Sequence, residues 1–437
     1  HHPTMYTSYI GRRALDLYNE HMRDGPPLSP KAFFDGVLFP VAFDHERYFI
    51  WPGNAPFGQN KYYLRREEPS ARKDALEEMH KKIEESEGTP GHLYMGGPAR
   101  DILKTTTGQI SSVGPPSDPS EAYCSWVGEL CGIGIGKLSM LIDHDAVLLA
   151  LLEGWSLYRK YLNQTPSLKG KQIATWNGQW IAHRFGPDYN SDDPLRDFNP
   201  PGTSEISTKN WSKVVFSLAR ELPESELRVY VYALGKRNET IGFRQLLLPE
   251  VQYLTDLYEK LFGTVEGVSA RRLADVFEPA FSLYQACEQG AIGLKALQPD
   301  RLLKYMPGRR DSKMPGTTRS ENKFTRYLIF QTWIIAMLNN EDLIDTTEQL
   351  AQALRGHAQS DTKGRKTAEN RAEQVLEASH QREFLEALTE VVENDGSHAA
   401  LFDEIADEVV KMPSGDFPLF ATLLRLKYKV FDQQQSV

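Results

Sequence analysis

Cysteine is scarce in this chain of 437 residues, which contains only Cys124, Cys131 and Cys287. So few thiols exclude a disulfide framework and are typical of proteins in a reducing cytoplasm. Cys124 and Cys131 are seven positions apart, whereas a zinc knuckle needs a C-x-x-C pair. We therefore expect a cytoplasmic protein without a metal site.

Long apolar runs are also missing from the sequence. The longest candidate, Ala146 to Leu152, has seven residues, whereas a membrane-spanning helix needs roughly 18. The start of the chain is polar and lacks the apolar core of a secretory signal peptide. Both absences predict a protein that has no membrane partner.

Sequence motifs that mark common active sites are absent, including G-x-S-x-G, H-E-x-x-H and an H-x-E paired with C-x-x-C. The stretch Cys131–Lys137 is a near match to a phosphate-binding loop. It has Cys131 in place of the first glycine, and Leu138 in place of the Ser or Thr that binds magnesium. We expect its glycines to lie within a flexible or closely packed helix. The sequence therefore proposes no catalytic residue.

Positive charge, by contrast, is concentrated in one segment. The net charge of the chain is −9, yet residues 301–326 contain eight basic and two acidic residues. Such a segment in an acidic protein is typical of a polyanion site, although a solvated loop is the alternative. Two Pro-Gly turns bend the segment, and a helix predicted from Ser320 can direct its first N–H groups at phosphates. The candidate phosphate-binding residues are Arg309, Arg310, Lys313, Arg319, Lys323 and Arg326.

The pattern of apolar residues predicts an α+β protein that is mostly helical, in which an irregular mixed N-terminal module precedes a C-terminal helical bundle. We expect a mixed α/β module at 5–119, a helical and mixed middle region at 120–266, and the bundle at 267–437. Within the first module, β-rich runs at Gly36–Phe43 and Arg47–Trp51 predict a hairpin. Residues 88–119 contain six glycines and five prolines and are expected to form a long loop.

Helical periodicity predicts the longer elements. Glu121–Leu141 and Asp143–Asn163 are expected to be helices, and Asp143 or Asp145 is expected to cap the second. Adjacent helical residues point in different directions, so Asp143, His144 and Asp145 are not expected to bind one metal ion. A strand is predicted at Leu227–Leu234. Further helices are predicted at Trp211–Glu221, Ser269–Gln289, Ser320–Leu338, Glu341–Arg355, Lys366–Glu393, His398–Lys411 and Phe417–Phe431.

The predicted bundle is itself polarised by charge. Between Glu383 and Asp416 there are ten acidic residues and one basic residue, Lys411. Such a run is typical of a solvated helix face. It is also suited to docking a basic partner.

Two stretches combine aromatic rings and side-chain amides with nearby basic residues. One is Trp51–Lys61, and the other is Trp176–Trp180, which follows Lys169 and Lys171. Aromatic rings stack on bases and amides hydrogen-bond to base edges, so both stretches suit contact with a duplex. The alternative for the two tryptophans is that they are core residues flanking a turn. The residues expected to probe the duplex are Asn54, Gln59, Asn60, Lys61, Asn177 and Gln179.

Three stretches, Glu153–Leu162, Gly170–Trp180 and Phe417–Tyr428, resemble the large subunits of type I CRISPR surveillance (Cascade) complexes. The order of an irregular N-terminal module and a terminal helical bundle is similar as well, so the resemblance spans most of the chain.

The resemblance implies a non-enzymatic subunit in antiviral defence that needs no cofactor. Such a subunit contacts the guide RNA and the other complex subunits. It recognises the protospacer-adjacent motif in duplex target DNA, holds the displaced strand and helps to recruit a helicase-nuclease. Base pairing recognises the remaining sequence. The basic residues of 301–326 would then contact the displaced strand or the guide.

Two other functions stay open. A helical scaffold would bind proteins through its bundle, with the basic segment incidental. A nuclease would assemble its active site from distant residues. Co-purified nucleic acid would argue against the scaffold, and metal-dependent cleavage would identify the nuclease.

Overall fold

The computed structural model describes residues 6–52, 55–85, 118–233, 239–265, 267–316, 320–360, 365–394 and 396–434. The chain divides into two compact units. The first unit comprises His1–Pro249 and Leu283–Ile292, and the second comprises Glu250–Ser282 and Gly293–Val437. The fold is α+β and mostly helical, which confirms the predicted class. The division at 119/120 and 266/267 stays a prediction.

The α-helices in the described residues are numbered along the chain. They are α1 Tyr6–Leu17, α2 Pro30–Phe33, α3 Phe39–Ala42, α4 Asn60–Tyr63, α5 Pro69–Glu85, α6 Pro119–Leu130, α7 Asp145–Gln164, α8 Ile173–Arg184, α9 Trp211–Glu221, α10 Leu248–Phe262, α11 Leu273–Val276, α12 Leu283–Glu288, α13 Glu321–Leu338, α14 Leu343–Ser360, α15 Arg365–Glu377, α16 Gln381–Asn394, α17 Ala399–Lys411 and α18 Phe417–Gln434. The strands are β1 Ile133–Ile135, β2 Leu138–Ile142, β3 Glu226–Ala233, β4 Glu239–Leu247 and β5 Ala291–Ile292.

The first unit contains one sheet, in the order β1-β2-β3-β4-β5. Neighbouring strands from β1 to β4 are antiparallel, and β5 pairs with β4 in parallel. The prediction of one helix over Glu121–Leu141 is wrong, because α6 ends at Leu130 and a β1–β2 hairpin follows. Gly136 forms its turn with a φ of 62°, a left-handed conformation that glycine adopts without steric cost. The sequence GIGIGK therefore encodes a hairpin.

Close packing of α1 against α6 depends on two glycines. A Cβ on Gly11 would lie 1.7 Å from the carbonyl oxygen of Cys124, and a Cβ on Gly128 would lie 1.9 Å from that of Thr7. Any side chain at either position would therefore force the helices apart. Glycine is used here for close approach of two backbones.

The hairpin predicted over Gly36–Phe43 and Arg47–Trp51 is wrong. Residues Pro30–Ala42 are helical throughout, with a π-helical turn at Phe34–Leu38 between α2 and α3. Phe33, Phe34, Phe39 and Phe43 are all at most 6% exposed. Aromatic and β-branched residues favour strands in isolation, but here their burial on one helical segment outweighs that propensity.

The second unit is built around α13, most of whose residues are buried. Helices α14, α15 and α18 pack in this unit through their own apolar faces. The predicted helix Lys366–Glu393 is interrupted between α15 and α16, where the Ser379 backbone N–H and hydroxyl both donate to Glu383 Oε2. The predicted helix Ser269–Gln289 is wrong, because only short turns and α11 and α12 form there.

Residues 143–145, at the start of α7, have structural functions. His144, rather than either aspartate, caps the helix, because its Nδ1 accepts the Ala146 N–H at 3.3 Å. Asp143 accepts a hydrogen bond of 2.6 Å from the Tyr9 hydroxyl. Within the described ranges, no three His, Cys, Asp or Glu side chains are grouped to hold a metal ion. A search of the same ranges finds no helix with the length and apolarity to cross a membrane.

Candidate nucleic-acid interface

The middle of the basic segment, residues 306–316, forms a loop on the second unit. Arg309, Arg310 and Lys313 are all exposed, and Gly308 turns the chain before them with a φ of 77°. The Lys313 N–H donates to the Lys304 carbonyl at 2.8 Å, so the loop folds back on itself. The three cationic side chains therefore share one short, bent stretch of backbone. Arg319 lies outside the described residues.

A buried arginine on α18 holds this loop in place. Arg425 is only 3% exposed, and its Nη1 donates to the Tyr305 carbonyl at 3.1 Å and to the Ser312 hydroxyl at 2.9 Å. Its Nε donates to the Leu376 carbonyl at the end of α15. Burial lowers the pKa of Arg425, but an arginine remains charged at neutral pH. The loop is thus fixed to two helices of the bundle by one guanidinium.

Nearby carboxylates compete for some of the predicted cations. Arg309 lies 4.0 Å from Asp311, and Arg326 lies 3.5 Å from Glu278. Lys323 is less exposed and lies 5.7 Å from the centre of the Tyr327 ring. Neither Arg310 nor Lys313 pairs with a carboxylate among the described residues. Arg310 and Lys313 are therefore the cations best placed to bind an external phosphate.

The amide residues after Trp51 lie on the first unit. Asn60 and Lys61 are exposed at the start of α4, and Gln59 is half-buried just before it. The Lys61 ammonium lies 4.6 Å from the Tyr62 ring centre and 3.8 Å from Glu78. These three side chains are accessible to a ligand. Asn54 lies outside the described residues.

The second amide stretch is buried, which corrects the expected role of Asn177. Trp176–Trp180 lies within α8, where Asn177 is 0% exposed and its amide NH₂ donates to the Leu130 and Gly132 carbonyls at 2.8 and 2.9 Å. A side chain so placed cannot reach a base edge. Both tryptophans are 0% exposed, and the Gln179 amide, which is half-buried, donates to the Ser207 carbonyl at 2.8 Å. This stretch joins α8 to its neighbours.

The predicted residues thus fall into separate groups. The basic loop belongs to the second unit, and Gln59, Asn60 and Lys61 belong to the first. Sequence reasoning missed Arg425, although a lone arginine in the apolar run of α18 is the signal that could have identified it. Comparisons of the chain with protein-family models, with curated proteins and with solved structures found no match.

Proposed function

We propose that the chain is a non-enzymatic, nucleic-acid-binding subunit of a type I CRISPR surveillance (Cascade) complex. It binds guide RNA and duplex target DNA together with other complex subunits in the cytoplasm. It recognises the protospacer-adjacent motif, holds the displaced strand and helps to recruit the helicase-nuclease. No cofactor takes part, because binding and strand exchange draw on contact energy.

One observation carries this proposal, namely the exposed basic loop in an otherwise acidic protein. Arg309, Arg310 and Lys313 are presented on a backbone that Arg425 anchors to the bundle. An anchored loop loses less conformational entropy on binding than a free one. The loop therefore suits contact with several consecutive phosphates of one strand.

The test is co-expression with the neighbouring genes and a guide array, followed by pull-down through this chain. A stoichiometric complex that contains a discrete RNA of guide length is the expected result. Recovery of the chain alone, free of nucleic acid, would overturn the assignment. Incubating the purified chain with DNA or RNA and a divalent metal should give no cleavage, and cleavage would replace the proposal with a nuclease.

A protein-binding scaffold is the second candidate, and the acidic helices favour it. Glu386 and Glu390 on α16 and Asp403 and Asp407 on α17 are all exposed, and Val410, which is also on α17, is 66% exposed. An apolar side chain within an acidic surface suits a basic protein partner. The scaffold predicts a stoichiometric protein complex that contains no RNA, so the same pull-down distinguishes the two functions.

A further inference from the structure

The first unit contains a basic cavity that neither the basic loop nor the predicted amide contacts explain. Its volume is about 440 Å³, which lies within the ~300–1,000 Å³ typical of small-molecule sites. Its charged lining residues are Arg47, Arg66, Lys169, Lys171 and Glu46. Four cations against one carboxylate favour the binding of an anion here.

The four cations have different functions. Arg47 belongs to the framework, because its guanidinium donates to the carbonyls of Leu162, Thr165 and Leu168 at 2.7–2.9 Å. Lys169 already pairs with Glu205 at 2.8 Å. Neither Arg66 nor Lys171 has a carboxylate partner in the described part of the chain. Arg66 donates its Nε and Nη1 to the Glu46 and Tyr63 carbonyls, so the donors left for a ligand are on the rest of its guanidinium and on the Lys171 ammonium.

Each of these two cations lies against at least one aromatic ring. The Arg66 guanidinium lies 4.3 Å from the centre of the Tyr63 ring. The Lys171 ammonium lies 4.1 Å from the centre of the Trp51 ring and donates to the Tyr63 hydroxyl at 2.7 Å. Trp51 is 44% exposed, whereas the other tryptophans are at most 4% exposed. An accessible indole thus lies directly beside an ammonium that still has two N–H donors to offer.

The backbone holds Lys171 in an unfavourable conformation. Its φ is 68°, in the left-handed region that residues other than glycine rarely occupy. The Lys171 N–H donates to the Tyr48 carbonyl at 2.6 Å, and this bond fixes the strained turn. Glycine would adopt this conformation without cost, so the lysine is held there at some expense of stability. Strain of this kind is concentrated at binding sites.

We propose that this cavity binds one nucleotide, either free or as a unit of a single strand. Arg66 and Lys171 bind its phosphate inside the cavity, and its base extends past the cavity lining to stack on the exposed part of Trp51, which lies against Lys171. Base stacking on aromatic side chains and phosphate binding by cations are the two interactions that proteins combine for unpaired nucleotides. A simple anion would use the cations but not the indole. This inference does not depend on the proposed CRISPR function.

The experiment titrates the full chain with adenosine 5′-monophosphate, adenosine, inorganic phosphate and a short adenine oligonucleotide, while tryptophan fluorescence is recorded. Trp51 dominates any change, because the other tryptophans are buried. We expect saturable quenching by the monophosphate and the oligonucleotide, and weaker binding of adenosine or phosphate alone. The relative affinity of the monophosphate and the oligonucleotide shows which source of nucleotide the site prefers. The W51F variant should lose the fluorescence response.

Substitutions at Lys171 separate binding from folding. K171M should weaken binding of the monophosphate by about tenfold or more, because it removes a charge-assisted contact, and K171R should retain most of the affinity. K171G should also weaken binding while leaving thermal stability equal or higher, because it relieves the strained φ. The matched control is K137M, which removes an exposed lysine of the same unit at the β1–β2 turn.

Three outcomes would overturn the proposal. The first is equal affinity of the wild type and K171M for the monophosphate. The second is binding of inorganic phosphate as tight as that of the monophosphate, which would make the cavity a simple anion site. The third is no saturable response to either nucleotide probe up to about 10 mM, well above the millimolar range of weak sites. The two proposals can fail separately. If the chain binds the nucleotide but no guide RNA co-purifies with it, the nucleotide site is supported and only the CRISPR function is overturned.

Discussion

Neutralising the basic loop should reduce the salt dependence of nucleic-acid binding by a calculable amount. The variant R309Q/R310Q/K313Q removes three exposed cations from the bent stretch that follows Gly308. Each phosphate contact adds about −0.7 to the slope of log K against log salt for a single strand and about −0.9 for B-form DNA. Three contacts therefore account for about −2.1 or −2.7 of the slope.

This slope predicts a difference that is easy to measure. Between ~50 and ~200 mM salt, the three contacts account for a further loss of affinity of about 20-fold for a single strand and about 40-fold for a duplex. Arg309 lies 4.0 Å from Asp311, so its contribution to the salt slope should be smaller than that of an unpaired cation. The assay is fluorescence anisotropy of a labelled single strand of about 30 nucleotides, and of the matching duplex, at several salt concentrations. A strand of that length is about two to seven times as long as the stretch that one single-strand-binding domain covers.

The control variant K366Q/R382Q/K411Q has the same change in charge. All three residues are exposed on helices of the same unit, and Arg382 and Lys411 lie among its acidic residues. A general change in net charge would alter both variants equally, whereas a local phosphate site would alter only the first. The reasoning fails if the loop variant keeps the wild-type slope, or if the control loses as much.

Three further predictions concern stability. Arg425→Met should lower the free energy of unfolding by about 3 kcal/mol, because buried acceptors lose their charged donor. The control is Arg382→Met at an exposed position, which should change the free energy of unfolding by less than about 0.5 kcal/mol. Both are measured by urea denaturation. Gly128→Ala should cost about 3 kcal/mol or more, because its Cβ would lie 1.9 Å from the Thr7 carbonyl oxygen; an unchanged thermal midpoint would contradict the close packing. Burial lowers the pKa of His45 to about 4 in the folded protein, whereas an imidazole in the unfolded chain has a pKa of about 6.5. As the pH drops from about 6.5 towards 4, the unfolded chain therefore takes up a proton that the folded protein does not, and the free energy of unfolding should fall. Denaturation at several pH values should show a smaller fall for His45→Gln, and an identical fall would count against this assignment.

The sequence predicts the helices best where an apolar stripe is long. Helix α9 has the predicted bounds, Trp211–Glu221, and α18 begins at the predicted Phe417. In such segments, local periodicity and tertiary burial favour the same structure. The strand over Leu227–Leu234 is confirmed within one residue at each end, as β3. Burial alternates with the expected period of two from Glu226 to Val231, and the alternation breaks at Tyr232, where the register with β4 shifts.

The errors occur where tertiary contacts outweigh local preference. The aromatic run from Phe33 to Phe43 has strand propensity, but it forms a helical segment because that arrangement buries all four rings. The sequence predicts a helix as far as Leu141, yet residues 133–142 form β1, a turn and β2, because β1 pairs with β2 and β2 pairs with β3, which satisfies their backbone groups. Neither outcome is visible in a window of ten residues, because the partner that decides it lies far along the chain.

For the candidate sites too, residue types could be read from the sequence, whereas their arrangement in space could not. A count of charges suffices to find the basic loop, but it does not reveal that Arg425, more than 100 residues later, fixes the loop in place. Likewise, Trp51 begins one aromatic stretch of the sequence, whereas Lys171 precedes the other. Only the fold places the ammonium over the indole, and the lysine that carries it has a left-handed backbone conformation. The chemistry of a surface can therefore be inferred from residue types, whereas the nucleotide-sized cavity depends on backbone geometry that no motif encodes.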